Sequence, residues 1–268
     1  MVSRVCLLIA IALGAAASAR SETLLELGYR QMYNLQFDEA HRTFAAWQAA
    51  NPNDALGPAS DAAAYLFTEF DRLHILQSEF FVHDEHFYTD RTLTPDPVLK
   101  KKFEAALDKA TEMAAAAPEE PNARFAAVLC HGLESDYLAL IEKRYLAAFR
   151  EMKIARGLAE RLLAENPEYY DAWIAIGVEN YMLGLKPAPL RWLLKLGGGL
   201  TDRALGLEKL RVTAQKGRYL QPFARLLLAV AALRDHQTQR ARELLAGLTR
   251  EFPDNPLYSR ELARLERS

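Results

Sequence analysis

One pattern of mostly apolar and small residues occurs four times along the chain, at offsets of 0, 3, 7 and 10, with a proline at offset 15. These offsets fall on one face of an α-helix, and a proline beyond them ends it. The four sets are Phe37, Ala40, Phe44, Trp47 and Pro52; Phe103, Ala106, Ala110, Met113 and Pro118; Met152, Ala155, Ala159, Leu162 and Pro167; and Thr238, Ala241, Leu245, Leu248 and Pro253. Because one such helix has no core of its own, the recurrence predicts stacked helical units.

Residues 21–54 resemble the tetratricopeptide repeat, whose unit is about 34 residues long. The positions that carry the resemblance are Leu24, Leu27, Gly28, Ala40, Phe44 and Pro52, and, in the unit that opens at Tyr170, Trp173, Ile176 and Gly177. Gln31 stands where the pattern usually has an aromatic residue, and Gly206 and Leu210 replace an alanine and a phenylalanine in the fourth unit. Since the family hosts binding surfaces of many kinds, the resemblance implies a fold more than a function.

The implied fold is all-α: a right-handed α-solenoid of about five tetratricopeptide-like helix pairs, with helical insertions and a C-terminal capping helix. We expect a single domain over residues 20–268, with units at about 21–54, 55–120, 121–169, 170–221 and 222–255 and a cap at 256–268. Against a 34-residue repeat, the three central units carry about 32, 15 and 18 extra residues. Such insertions tend to lie on one face of a repeat protein, often the binding face.

Residues 1–19 are predicted to be a cleaved signal peptide and not part of the fold. Arg4 precedes the apolar stretch Val5–Ala17, and Ala17-Ser18-Ala19 has the small-x-small pattern of a signal-peptidase site. An uncleaved anchor or a buried helix is the alternative interpretation. The mature chain would keep only Cys130, which cannot form an internal disulfide. We therefore expect a periplasmic or secreted protein.

Composition and sequence motifs argue against two classes of function. Half of the residues are hydrophobic and the net charge is −2, with no basic patch, so nucleic acid is not an expected partner. The sequence has no glycine-rich phosphate loop, no Gly-x-Ser-x-Gly elbow and no cysteine–histidine pair in a recognisable context. We therefore expect neither an enzyme nor a cofactor, and assign no catalytic residue. Glu134 and Asp136 beside His131, and Glu179 with Asn180, resemble acid–base clusters, but such coincidences are expected when 25% of the residues are charged.

The first helix of each pair lines the concave surface of tetratricopeptide folds, and the resemblance transfers this role to an apolar, aromatic set of positions. The candidate groove residues are Tyr29, Met32, Tyr33, Leu129, Leu133, Val178, Tyr181, Met182, Val230 and Leu233. Two interpretations stay open. Either these side chains form an accessible groove for an apolar helix or extended peptide, or the insertions cover them, because a bare patch of this size promotes aggregation.

The first insertion carries a stripe of potential metal ligands. If a helix continues through it, Glu79, His83, His86 and Asp90 lie within about 40° of one another at 100° per residue. Imidazole and carboxylate groups arranged in this way could bind zinc or another divalent metal. The simpler interpretation is a polar stripe on an otherwise buried helix, and we predict no metal site there.

The second insertion, residues 185–202, is similar to one in uncharacterised secreted bacterial tetratricopeptide proteins. Pro187 and Pro189 end the preceding helix, and a short apolar helix is predicted to follow. That helix carries Leu190, Trp192, Leu193, Leu194 and Leu196, together with Arg191 and Lys195. A weakly basic helix with a tryptophan could lie on a membrane surface. Its length of about two turns favours docking onto its own solenoid instead.

These features favour an exported tetratricopeptide-like scaffold that binds a protein or peptide partner in the bacterial envelope. The alternative is a transport-associated accessory protein that binds a small molecule or lipid in the apolar solenoid lumen, similar to the repeat-bearing partners of tripartite solute transporters. A weaker alternative is a metal-dependent function through the stripe at His83 and His86. An open groove would favour the first function, a closed apolar cavity the second, and convergent histidine and carboxylate side chains the third.

Overall fold

The computed structural model describes residues 22–76, 93–186 and 188–267, and this part of the chain is all-α, as predicted, with no β-strand in it. It contains twelve α-helices. They are α1 (Leu24–Tyr33), α2 (Phe37–Ala50), α3 (Leu56–Arg72), α4 (Pro97–Ala116), α5 (Pro121–Asp136), α6 (Tyr145–Glu165), α7 (Trp173–Gly184), α8 (Ala188–Leu196), α9 (Arg203–Lys216), α10 (Gln221–Arg234), α11 (Thr238–Glu251) and α12 (Pro256–Glu266). A short π-helix, Tyr137–Ile141, continues α5, and a 3₁₀-helix, Tyr170–Ala172, leads into α7.

The four helices that carry the recurring pattern end where their prolines predict. α2, α4, α6 and α11 each stop two residues before the proline of their set, so that a single non-helical residue separates helix from proline. The separating residues are Asn51, Ala117, Asn166 and Phe252, with φ between −132° and −124°. The proline ring disfavours helical conformation in the residue before it. The prolines therefore set where these helices end.

The recurring face is the buried face of each helix. Ala40, Ala155 and Ala241, which hold the second position in three of the sets, are at most 2% exposed. Ala159 and Leu245, at the third position, are equally buried. A small residue at the second position lets the neighbouring helix approach closely, because its side chain occupies little of the space between the two backbones.

Two glycines mark helix crossings too close for any side chain. A Cβ atom at Gly28 would lie 2.3 Å from the ring of Phe44, so α1 and α2 meet there without space for alanine. A Cβ at Gly206 would lie 2.5 Å from the backbone nitrogen of Tyr181. Gly206 therefore lies where α9 crosses α7 too closely for a side chain.

The first helix of the described chain packs against residues 218–219 and 252–255, nearer the other end of the chain. We call these contacts the seam. The hydroxyl of Tyr33 donates to the carbonyl of Tyr219 at 3.1 Å, and Asn255 Nδ2 donates to the carbonyl of Tyr33 at 2.8 Å. Arg218 Nε donates to Glu26 Oε1 at 2.7 Å. Elsewhere each helix packs against the next along the chain, except that α9 packs against α7 across α8. The seam thus joins residues up to 222 positions apart.

The short helix α8 does not dock onto the rest of the fold as expected. Leu190, Trp192, Leu193 and Leu196 are 41%, 64%, 58% and 66% exposed. The structure holds only the glycine-rich exit of the insertion, where Lys153 Nζ donates to the carbonyl of Gly197 at 2.5 Å. The expectation that α8 buries its apolar side chains against its own solenoid is therefore wrong for these four residues, because the contacts with α6 fix its end and not its apolar face.

Among the described helices, none combines the length and the apolar character that a membrane span requires.

Candidate functional site

The ten candidate groove residues belong to the core of the fold. Seven of them are buried: Tyr29, Met32, Tyr33, Leu129, Leu133, Tyr181 and Val230. The other three, Val178, Met182 and Leu233, are partly buried and pack against that core. These positions are therefore largely buried in the described chain. The cover over Tyr29 and Tyr33 comes from the seam and not from an insertion, and helix α8 of the second insertion is itself exposed.

Tyr29 and Tyr33 lie inside the seam. The ring of Tyr29 is 5.2 Å from that of Tyr219, and the hydroxyl of Ser60 donates to Tyr29 Oη at 3.2 Å. The ring of Tyr33 is 5.6 Å from that of Phe252 near the other end of the chain. Both tyrosines line an open pocket of about 390 Å³ at the seam. Each is only 3% exposed, so each ring offers little of its own surface to a partner.

Asp171 organises the seam from within, and the sequence analysis missed it. Its carboxylate accepts three successive backbone N–H groups, from Arg218 at 2.8 Å, Tyr219 at 3.0 Å and Leu220 at 2.8 Å. The residue is 3% exposed. Nothing in the local pattern around Asp171 signals partners that lie 47 to 49 positions away.

Glu179 and Asn180, considered from the sequence as an acid–base pair, hold the exit of the second insertion instead. Glu179 Oε1 accepts the backbone N–H of Leu200 at 3.0 Å, and its other oxygen lies 2.8 Å from Arg156 Nε. Asn180 Oδ1 accepts the backbone N–H of Asp202 at 3.1 Å. Both side chains are buried and accept hydrogen bonds from the backbone, so their role in the described structure is structural.

Five of the candidate groove residues converge on one cavity of about 90 Å³, partly open to solvent, which we call the internal cavity. Helices α1, α3, α5, α6 and α7 and the start of α10 surround it, so it lies beside the seam. The five are Met32, Tyr33, Leu129, Leu133 and Val178. Phe67 and Phe223, whose rings are 5.7 Å apart, complete an aromatic wall with Tyr33. The cavity therefore combines residues from the two ends of the chain with residues from its middle.

One carboxyl group, that of Asp136, lines this otherwise apolar cavity. The other polar side chains of the lining are already engaged, because the hydroxyl of Tyr33 donates to Tyr219 and that of Ser135 donates to the carbonyl of Ala148 at 2.9 Å. Within the part of the chain that the structure describes, no hydrogen bond or ion pair reaches the carboxyl of Asp136. Desolvation by the surrounding protein raises the pKa of Asp136 to about 7.

The acid–base cluster considered around His131 is not the one that the structure forms. Asp136 lines the internal cavity, whereas His131 and Glu134 line a separate, open cleft of about 520 Å³ next to α4, which we call the acidic cleft. The third member of the cluster is Glu151 on α6, whose Oε2 lies 2.7 Å from His131 Nδ1. A signal for this pairing exists in the sequence, since His41 and Asp61 have the same 20-residue separation and also pair.

The stripe of Glu79, His83, His86 and Asp90 lies outside the described residues, as does the predicted signal peptide at residues 1–19. Comparisons with known protein families, with curated proteins and with solved structures found no match to this chain. Three features of the described chain are candidates for a function: the internal cavity, the acidic cleft and the pocket of about 390 Å³ at the seam.

Proposed function

We propose that this protein is an exported, tetratricopeptide-like binding protein that holds a small, mostly apolar ligand with one cationic or hydrogen-bond-donating group in the internal cavity. The observation that carries the proposal is the carboxyl of Asp136, which faces apolar side chains without a protein partner. Apolar pockets with one or a few placed polar groups are the usual form of small-molecule sites.

Asp136 is partly exposed, and desolvation by the surrounding protein disfavours the charged form of its carboxyl. An ammonium group placed beside Asp136 would satisfy the carboxylate and lower its pKa, which burial holds at about 7. The apolar remainder of the ligand would contact Leu129, Leu133 and Val178. Charge and shape therefore favour an apolar amine over an apolar acid.

Burial of the candidate groove makes a peptide-binding scaffold the weaker proposal. Large aromatic side chains carry most of the binding energy in many interfaces. The three tyrosines that would serve here, Tyr29, Tyr33 and Tyr181, are each 3% exposed. The open pocket at the seam reaches Tyr29 and Tyr33, but almost none of either ring is exposed in it. In our proposal the helix pairs form a solenoid whose first and last units touch, and the ligand occupies the space that this contact encloses.

Benzylamine and benzyl alcohol provide a matched pair of probes for the cavity. We expect benzylamine at pH 7 to raise the Tm of the parent protein and to bind measurably by ligand-observed NMR. Asp136→Asn should lose most of that binding while keeping the weaker binding of benzyl alcohol. Asp38→Asn, at an exposed position on α2, is the control and should behave like the parent. Equal benzylamine binding by the parent and by Asp136→Asn would contradict the proposal, as would no binding of either probe.

A further inference from the structure

The acidic cleft brings three side chains with metal-binding atoms together on two packed helices. His131 and Glu134 are one turn apart on α5, so both side chains lie on the same face of that helix. Glu151 faces them from α6. One ligand atom from each of the three lies within 4.8 Å of the other two. Within the described residues, no other group of three histidine, cysteine or acidic side chains meets this criterion.

The distances between the ligand atoms of His131, Glu134 and Glu151 would suit a bound metal ion after small side-chain rotations. Nitrogen and oxygen ligands lie about 2.0–2.2 Å from Zn²⁺, so two ligands of one tetrahedral ion are about 3.4 Å apart. His131 Nδ1 and Glu151 Oε2 are now 2.7 Å apart and are joined by a hydrogen bond. An ion that replaced this hydrogen bond would push the two atoms apart by a fraction of an ångström and draw Glu134 inward. Glu134 is exposed and the other two side chains are partly exposed, so these rotations are available.

The charges around the three ligands attract a cation. Lys100 and Arg144, the two basic residues that line the cleft, both pair with Glu142, at 2.7 and 3.1 Å. No lysine or arginine pairs with Glu134 or Glu151 in the described chain. Three further acidic side chains line the cleft: Glu104, Asp108 and Glu112. Acidic groups therefore outnumber basic groups in the lining.

A second histidine pair in the same fold lacks the third ligand. His41 Nδ1 lies 2.6 Å from Asp61 Oδ1 between α2 and α3, and the imidazole stacks on Tyr65 with ring centres 4.0 Å apart. The side chains of His41 and Asp61 are 20% and 19% exposed, close to the 29% and 21% of His131 and Glu151. The pair at His41 is thus a natural control, equal in hydrogen bonding and exposure but without a second carboxylate.

We propose that His131, Glu134 and Glu151 bind one divalent first-row transition-metal ion, such as Zn²⁺, at the wall of the acidic cleft. One imidazole and two carboxylates form a mixed nitrogen–oxygen site, which favours these ions over Mg²⁺ and Ca²⁺. The remaining coordination positions face the cleft and are filled by water. Cys130 also lines the cleft, but it is not among the side chains whose ligand atoms converge there.

The experiment is a titration of the chelator-stripped full chain with Zn²⁺ by calorimetry and with Co²⁺ by visible absorption. It is done in a His83→Ala/His86→Ala background, so that the predicted stripe in the first insertion contributes nothing. We expect one ion per chain and a Co²⁺ absorption band in that background. His131→Ala should weaken Zn²⁺ binding by at least 30-fold and abolish the band, and Glu151→Gln should weaken binding by about 10-fold.

His41→Ala in the same background is the control and should bind as tightly as its parent, with circular dichroism showing that every variant is folded. Glu134→Gln, which keeps the size of the side chain, separates ligand loss from misfolding and should also weaken binding. Absence of stoichiometric binding would overturn the proposal. So would unchanged binding by the His131→Ala variant, or equal losses in the His131→Ala and His41→Ala variants.

Discussion

The seam and helix α8 both present aromatic and leucine-rich faces, but only the seam covers its face. Tyr33 at the seam is 3% exposed, whereas Trp192 on α8 is 64% exposed. At the seam, a hydrogen bond from Asn255 joins the backbone at the two ends of the chain, and hydrogen bonds to Asp171 fix the segment that carries Tyr219. In the described chain, the hydrogen bonds between the α8 segment and the earlier helix α6 are at the glycine exit, and Arg191 donates to the carbonyl of Lys186 at the start of the insertion. Apolar character alone therefore does not determine docking; the satisfied backbone groups decide which apolar face is covered.

The largest expected effect belongs to Asp171. Replacing it with alanine leaves the N–H groups of Arg218, Tyr219 and Leu220 without their acceptor inside the protein. Each buried, unsatisfied group costs about 1–3 kcal/mol, so Asp171→Ala should lower the free energy of unfolding by about 5 kcal/mol. Denaturant unfolding measures this. A loss below about 1 kcal/mol would show that the three N–H groups find water and that the seam does not depend on Asp171.

Tyr33→Ala should cost about 4 kcal/mol, since a large buried ring is removed from between Phe67 and Phe252. Tyr33→Phe keeps the ring and loses only the hydrogen bond to Tyr219, so it should cost about 1 kcal/mol. The difference between the two variants, measured in the same urea titrations, gives the contribution of ring packing to the seam. If both variants lost the same stability, the hydrogen bond and not the ring would hold the two ends together.

The raised pKa of Asp136, which lies beside the seam, predicts that the free energy of unfolding depends on pH. Its pKa of about 7 in the folded protein lies above the ordinary value of about 3.9, so between these values the folded state binds a proton that the unfolded chain has released. This group therefore lowers the stability of the fold as the pH rises from about 4 to 7, by on the order of 2–4 kcal/mol. Unfolding free energies measured across that range should fall for the parent protein.

Asp136→Asn removes the titration, so its stability should match that of the parent near pH 4 and exceed it at about pH 8. Asp38→Asn, exposed on α2, should reproduce the profile of the parent. Parallel profiles for the parent and Asp136→Asn would mean that water entering the cavity solvates the carboxylate. The cavity would then be an open extension of the surface, unlike the seam that borders it.

The smallest effect is expected at α8. Trp192→Ser and Leu193→Ser remove large apolar groups that are more than half exposed, so each should change the free energy of unfolding by no more than about 0.5 kcal/mol. Urea unfolding of these two variants, measured together with Tyr33→Ala, compares the stability contributed by α8 with that contributed by the seam. A loss above about 1.5 kcal/mol from either serine variant would place α8 against the rest of the fold in solution.

The sequence predicted the parts of the structure that depend on local physics. The bounds of α2 and α11 agree with the pattern and its prolines, because helix periodicity and the restriction before proline act within a few residues. The apolar groove positions were identified, but not what covers them. Tyr33 meets Tyr219 across 186 positions, and no local pattern encodes such a pairing.

The candidate site was only partly predictable for the same reason. His131 and Glu134 were noticed because they are neighbours in sequence, and Asp136 was grouped with them for that reason alone. Two residues further along α5 amount to about 200° of rotation, which turns Asp136 from the cleft towards the internal cavity. Glu151 was missed because it meets His131 from another helix, although the spacing it shares with the pair at His41 could have suggested it.

The seam also constrains the order in which the chain can mature during synthesis. In an open array of repeats each unit needs only its neighbour, so folding can follow the ribosome. Here the backbone carbonyl of Tyr33 accepts a hydrogen bond from Asn255, which is translated 222 residues later, so this bond cannot form before then. Until then the apolar side of α1 has no cover from the seam, and a chaperone must shield it or it is open to aggregation. Limited proteolysis of ribosome-stalled chains should show α1 becoming protected only once Asn255 has left the exit tunnel.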